Sequence, residues 1–264
     1  ICEKYLGSDT ATPHLTRWKT TMKAKAEIIP SLTTGTELDI VNAARRSFDV
    51  THKSMTKGDI SLINFLVRWG HWLPFRHPQL SFSCDAPIFV ARQLGKHQVG
   101  MSWSEVSRRY KTGGFDFWEP EAWREKPEDA KQGTGPELEQ GAFASVIAQE
   151  ALEQINKNSM DTYRILVDDL GLAPEQVRAM LPQSMMVSWT WTGSLMAWLH
   201  LIRERAPITS HSQTETREWV TQYIVPEIAK RFPYTWEAIQ THTALDITNE
   251  QANEEAREVR GGNA

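Results

Sequence analysis

Cysteine is scarce in this sequence: Cys2 and Cys84 are the two present in 264 residues. They stand far apart with no Cys-x-x-Cys spacing, which excludes a disulfide framework and a thiolate zinc site and points to a reducing cytoplasm. No apolar run reaches membrane-spanning length, because Ile60 to Val67 and Val187 to Leu201 are both interrupted by polar residues. Nor does Ile1 to Pro30 hold an apolar signal core, so the opening reads as non-secretory. An excess of positive charge is missing too. With 29 Lys and Arg against 33 Asp and Glu the net charge is -4, unlike a nucleic-acid coat, and any bound anion must meet a local basic cluster. The absence of Gly-x-Gly-x-x-Gly, Gly-Lys-Ser/Thr and Gly-x-Ser-x-Gly removes sequence support for Rossmann dinucleotide binding, P-loop chemistry and serine hydrolysis.

What remains is a globular composition, 40% hydrophobic and 23% charged, with ample length for a core. Leu38, Ile40, Val41, Ala43 and Ala44 predict a helix over Glu37 to Phe48, and Asp59 is the expected N-cap of a second helix carrying Ile60, Ile63, Leu66 and Val67 to Gly70. Leu80, Phe82 and Cys84 alternate with Ser81 and Ser83, the period of a half-buried strand that turns Cys84 to the core. Asp85-Ala86-Pro87 then reads as a capped start for a helix to Gly95, followed by a loop from Lys96 to Tyr110. Helices are expected from Ala142 to Leu170, briefly after Pro174, from Gln183 or Ser188 to Arg205 with Trp189, Trp191 and Trp198 on it, and from Thr214 to Phe232, ended by Pro233. Most of the 11 tryptophans read as core or interface residues, although a flat ring ligand would also use them.

The loop Lys96 to Tyr110 carries three serines and four cationic or imidazole side chains around Glu105, company that suits a phosphate or carboxylate. A solvated surface turn is the plainer reading of the same composition. His71 and His77 flank Trp72 to Arg76 at a spacing that fits no metal-ligand pattern, and no metal is expected. Each is either packed at a helix exit or in contact with a ligand. Cys84, on an inner strand face, reads as packing rather than as a nucleophile.

Gln93 to Tyr110 resembles the signature of the flavin-dependent thymidylate synthases, the ThyX family. Ser102, Glu105, Ser107, Arg109 and Tyr110 stand at the family spacing, while Lys96-His97-Gln98 replaces Arg-His-Arg and one extra residue precedes Ser102. Gly70-His71 and Pro74-Phe75-Arg76-His77 are similar to the family's upstream His-x-x-Pro-Phe-Glu-His element, with Arg76 in place of Glu. Arg178 to Leu181-Pro182 matches Arg-x-x-Leu-Pro, Ser210-His211-Ser212-Gln213 resembles Ser-His-Ala-Gln, and Glu215-Thr216-Arg217 follows it. Ser194-Leu195-Met196 occupies the place of the family's Asn-x-Arg flavin contact.

The resemblance implies an α/β (α+β) fold: a single ThyX-like domain, a mixed sheet with long helices, assembling as a homotetramer. It would consist of an N-terminal extension over 1-34, a catalytic domain over 35-235 and a polar C-terminal tail over 236-264, with the long loop 111-141 a candidate lid. The implied reaction is the methylation of dUMP to dTMP, with methylenetetrahydrofolate as carbon donor, NADPH as reductant and FAD as cofactor. Catalytic roles fall on Arg205 and Ser107; Gln93, Lys96, Glu105, Ser107, Arg108, Arg109, Arg178 and Arg205 would line the nucleotide site. Flavin contacts would come from His71, Lys96, His97, Gln98, Glu105, Ser194 and His200. A guanidinium at Arg205 would favour the ionised, electron-rich uracil. No nucleic acid or membrane partner is implied. Departures at Lys96, Gln98 and Ser194 leave two alternatives: a sibling that methylates or hydroxymethylates another pyrimidine nucleotide, and a non-catalytic nucleotide-binding protein.

Overall fold

The computed structural model describes residues 23–127, 133–207 and 212–243. Four strands, β1 (Lys25–Ile28), β2 (Gln79–Pro87), β3 (Met101–Glu105) and β4 (Met186–Ser194), form a sheet in the order β1-β2-β4-β3. Every pairing is antiparallel, so the expected mixed sheet is corrected. Opposed residues share a face. Phe82, Trp191 and Trp103 line up across the three strands, as do Cys84, Trp189 and Glu105, whereas Ser81, Thr192 and Ser102 or Ser83, Thr190 and Ser104 line up on the other face. One face is therefore aromatic and the other is a field of hydroxyls.

The described helices are α1 (Glu37–Arg45), α2 (Lys57–Arg68), α3 (Ile88–Leu94), α4 (Phe143–Arg164), α5 (Pro174–Val177), α6 (Leu195–Arg205), α7 (Thr214–Trp219), α8 (Val225–Arg231) and α9 (Pro233–His242), and α6 and α7 cover the aromatic face. From α6, Trp198 meets the rings of Phe82 and Trp191 edge-on at 4.7 and 4.9 Å, and its indole N–H donates to the Leu80 and Gly193 carbonyls. From α7, Trp219 stacks on Trp189, which stacks in turn on Trp103 at 4.3 Å. Cys84 is wholly buried beneath them, and burial, helped by the charge of Asp85, pushes its thiol pKa far up, which makes it inert.

Several expectations are revised. The helix over Gln183 or Ser188 to Arg205 is β4 followed by α6: Val187, Trp189 and Trp191 alternate with Ser188, Thr190 and Thr192, a period of two that the aromatic density obscures, so Trp198 alone of the three tryptophans is helical. The cap of α2 is Thr56, and Asp59 sits three residues in, closing a capping box. Asp85 caps nothing, since β2 runs on to Pro87 and its carboxylate accepts from the Ser188 hydroxyl. The loop after Lys96 contains β3. The helical run from Thr214 ends at Arg231, just ahead of Pro233 as expected, and Pro233 then opens α9, where proline costs no hydrogen bond; Trp236, Ala238 and Ile239 are buried, so one face of α9 packs into the core. At the other end, residues 25–28 of the extension are a sheet strand. Cys2, Ser210, His211 and the tail from Ala244 lie outside the described residues.

Asp59 ties α1 to α2. Fully buried, it accepts from Arg45, His52 and Thr56 at 2.8–3.0 Å. Burial alone would raise its pKa, but these hydrogen bonds, His52 foremost, outweigh it and hold the carboxyl at about 2.

Candidate functional site

The chain between α3 and β3 turns sharply, with Met101 N–H bonded to the Gln98 carbonyl and Gly100 at φ +73. A Cβ on Gly100 would lie 3.3 Å from that of Ala197, so the turn approaches the start of α6 closely. There the Ser194 hydroxyl accepts from the Ala197 N–H and caps α6. His97, on the turn, meets the far end of the same helix: Arg205 Nε donates to His97 Nε2 at 2.9 Å. His200 sits edge-on to His97, and Arg203 reaches His200 Nδ1 at 3.0 Å. To accept from Arg205, His97 must be neutral. Burial first, then the positive charge of Arg205, lowers its pKa to about 4 and secures that state.

Lys96 and Gln98 flank His97 and are exposed. Together with His200, Arg203 and Arg205 they form a set of donors and cations on one turn and one helix. An FAD pyrophosphate is a dianion and its ring edge is rich in acceptors, so the chemistry of this donor set fits the cofactor.

Beyond β3, Arg109 pairs with Glu175 at 3.7 Å and lies over the Tyr110 ring, while Arg178 Nε donates to the Glu175 carbonyl at 3.1 Å. Two cations from distant parts of the chain thus meet at Glu175, each at the surface. Ser107 heads the turn, its hydroxyl accepting from the Arg109 N–H. Arg108 is spent otherwise: it donates to the Gly113 and Gly114 carbonyls and covers the Phe115 ring at 4.7 Å, which holds the turn rather than an anion. Glu105 accepts from the Trp103 indole at 3.1 Å. Gln93, near the end of α3, donates to the Gln213 side chain and accepts from Thr216.

The expected site residues therefore fall into three groups: His97, His200 and Arg205; Arg109, Arg178 and Ser107; and Gln93 with α7. Among the described residues no hydrogen bond, ion pair or ring contact joins Arg205 to Arg109 or Arg178. His71 stands apart, edge-on to Phe65 at the end of α2. Sequence reasoning missed Arg124, whose guanidinium bonds Glu215 and Glu218 at 3.0 and 3.2 Å; nothing in the local sequence marks it, because its partners lie some ninety positions away.

The sequence model described as "Thymidylate synthase complementing protein" matches residues 29–234. The chain belongs to this family. A flavin-dependent thymidylate synthase from Thermus thermophilus is 31% identical over 208 residues, covering 79% of this chain and 73% of its own. The enzyme of that name from Dictyostelium discoideum is 32% identical over 245 residues, covering 85% and 78%. Among solved structures, a UMP/dUMP methylase, PolB, from Streptomyces cacaoi, bound with 5-Br dUMP, superposes with a TM-score of 0.71 at 26% identity, covering 86% of this chain and 98% of its own. Members of this family are thus flavin-dependent methyltransferases.

Proposed function

We propose that this chain carries out the reductive methylation of dUMP to dTMP, with methylenetetrahydrofolate as carbon donor and NADPH as reductant. The observation that carries the reading is Arg205 held by a neutral histidine in a chain of this family. A guanidinium whose Nε is fixed presents its Nη face in one orientation, and against a uracil ring it favours negative charge on the pyrimidine, making carbon 5 the better nucleophile toward the methylene group. Arg109 and Arg178 supply two cations for the nucleotide phosphate, Ser107 and Glu105 hydrogen-bond the nucleoside, and Arg108 holds their turn. Lys96, His97, Gln98 and His200 would hold the FAD, with Ser194 fixing the helix that carries His200; bound there, FAD supplies the reducing equivalents.

That no contact joins Arg205 to Arg109 or Arg178 among the described residues is consistent with an active site completed by other copies in a homotetramer. On α4, Phe143, Val146, Ile147 and Ile155 are exposed, and its buried residues begin at Asn156, so its first three turns offer an apolar face to such a copy. Segment 111–141 is proposed as a lid, and a cytoplasmic location suits the chemistry. The deciding experiment is an absorbance spectrum of the purified protein, then anaerobic NADPH with and without dUMP. A flavin spectrum bleached by NADPH supports the reading, and mass analysis of the product of a full turnover separates dTMP from other pyrimidine products. A protein that takes up no FAD refutes it.

A further inference from the structure

An amide side chain can present its donor and acceptor in either of two orientations, and what fixes the choice is the group at the end of its hydrogen-bond chain. Gln93 lies in such a chain. Its Nε2 donates to Gln213 Oε1, Gln213 Nε2 donates to Glu215 Oε2 at 3.1 Å, and Glu215 Oε1 accepts from Arg124 at 3.0 Å. The Glu215 carboxylate only accepts. Gln213 must therefore turn its NH2 toward Glu215 and its oxygen toward Gln93, and Gln93 must answer with its own NH2. Turning either amide over would set oxygen against oxygen. Thr216, fully buried, donates to the oxygen of Gln93 at 3.3 Å and agrees with the same polarity.

Arg124 holds the terminal acceptor in place. Its side chain is 18% exposed and that of Glu215 17%, so the pair is largely withdrawn from water. Arg124 comes from segment 111–141, which a second contact, Thr134 to Thr214 at 3.2 Å, also fastens to α7.

We infer that Glu215, anchored by Arg124, is a specificity-determining positioning residue: through Gln213 it fixes the amide of Gln93 so that one N–H and one oxygen lone pair are offered to the bound base in a single arrangement. This rests on the reading that Gln93 lines the nucleotide site. Uracil presents an N3–H donor and carbonyl acceptors, whereas cytosine presents an acceptor at N3 and an amino donor, so an amide locked one way suits uracil and the inverted amide suits cytosine. The long segment thereby contributes to base selection without touching the base.

The test is calorimetric binding of dUMP and dCMP to the FAD-loaded full-length protein and its variants. Wild type is expected to favour dUMP. Glu215→Gln, which can face Gln213 with either end, is expected to weaken dUMP binding about tenfold and to shrink the dUMP-over-dCMP ratio by a similar factor. Gln213→Met, which cuts the relay while leaving the Arg124–Glu215 pair, is expected to do the same and keeps the test valid where Glu215→Gln does not fold. The double variant Gln93→Ala/Gln213→Met is expected to bind like Gln93→Ala. An unchanged ratio in Gln213→Met, or effects that add in the double variant, overturns the relay while leaving the nucleotide site standing. Wild-type dUMP affinity in Gln93→Ala overturns the placement of Gln93, and the relay with it.

Discussion

Arg205 Nε and His97 Nε2 are 2.9 Å apart, a hydrogen bond between the last turn of α6 and the turn that leads into β3. The bond requires a neutral imidazole. Within this pair the positive charge belongs to the guanidinium alone, and the histidine serves as its mount.

Replacing Arg205 by Ala is expected to lower kcat by roughly a hundredfold or more with a small change in KM for dUMP, since the loss falls on developing charge. His97→Leu should lower kcat less, about tenfold, and His97→Gln, which restores an acceptor, should recover part of it. Steady-state kinetics decide: equal damage from Leu and Gln would exclude the mounting role.

Arg109→Ala should act on binding instead. Loss of one of two phosphate cations is expected to raise the Kd for dUMP about tenfold or more while leaving the Kd for deoxyuridine unchanged, as titration of both ligands would show. An equal loss for nucleotide and nucleoside would remove Arg109 from the phosphate.

Acid should unfold the protein through Asp59 and His97. Folding lowers the Asp59 pKa from 3.8 to about 2, so the unfolded chain binds a proton first as pH falls. The stability this confers is complete above the unfolded pKa and is lost as pH drops through 3.8 toward 2. His97 has the same sign: neutral when folded down to about 4, against 6.5 unfolded, it costs stability progressively between those values. Urea unfolding across pH should show two falling segments, and Asp59→Asn, destabilised by about 2 kcal/mol at neutral pH, should lose the lower one. A variant with the wild-type acid profile would refute the Asp59 assignment.

Cys84→Ala should retain kcat, and the wild-type thiol should resist alkylation until the chain unfolds, because it is sealed beneath Trp189 and its thiolate is disfavoured. Mass spectrometry after iodoacetamide at increasing urea measures this. Rapid labelling mapped to Cys84 rather than Cys2 in the native protein would contradict the buried position.

Deleting segment 111–141 is expected to raise KM for dUMP or the folate, by loss of cover and of the Arg124 anchor. Unchanged KM for both would refute the lid.

Local pattern was enough for α1, α2 and α4, whose apolar residues recur at helical spacing, for the alternation that makes β2, and for the turn after Glu105, where Ser107 and Arg109 stand at a family spacing. It failed at β4, since a segment that is aromatic on alternate residues and runs straight into α6 gives no boundary to read until β2 and β3 pair with it on either side. The sequence by itself thus determined the class of protein, the candidate residues and the inertness of Cys84, because these depend on residue type and near spacing. Only the tertiary structure decided which cations meet, that Arg108 serves its own loop, that Arg205 rests on His97, and that Arg124 reaches α7 to set the polarity of two glutamines. Those are contacts between residues far apart in the chain, and the pairing of charges and the direction of hydrogen bonds exist only once folding has brought the partners within about 3 Å.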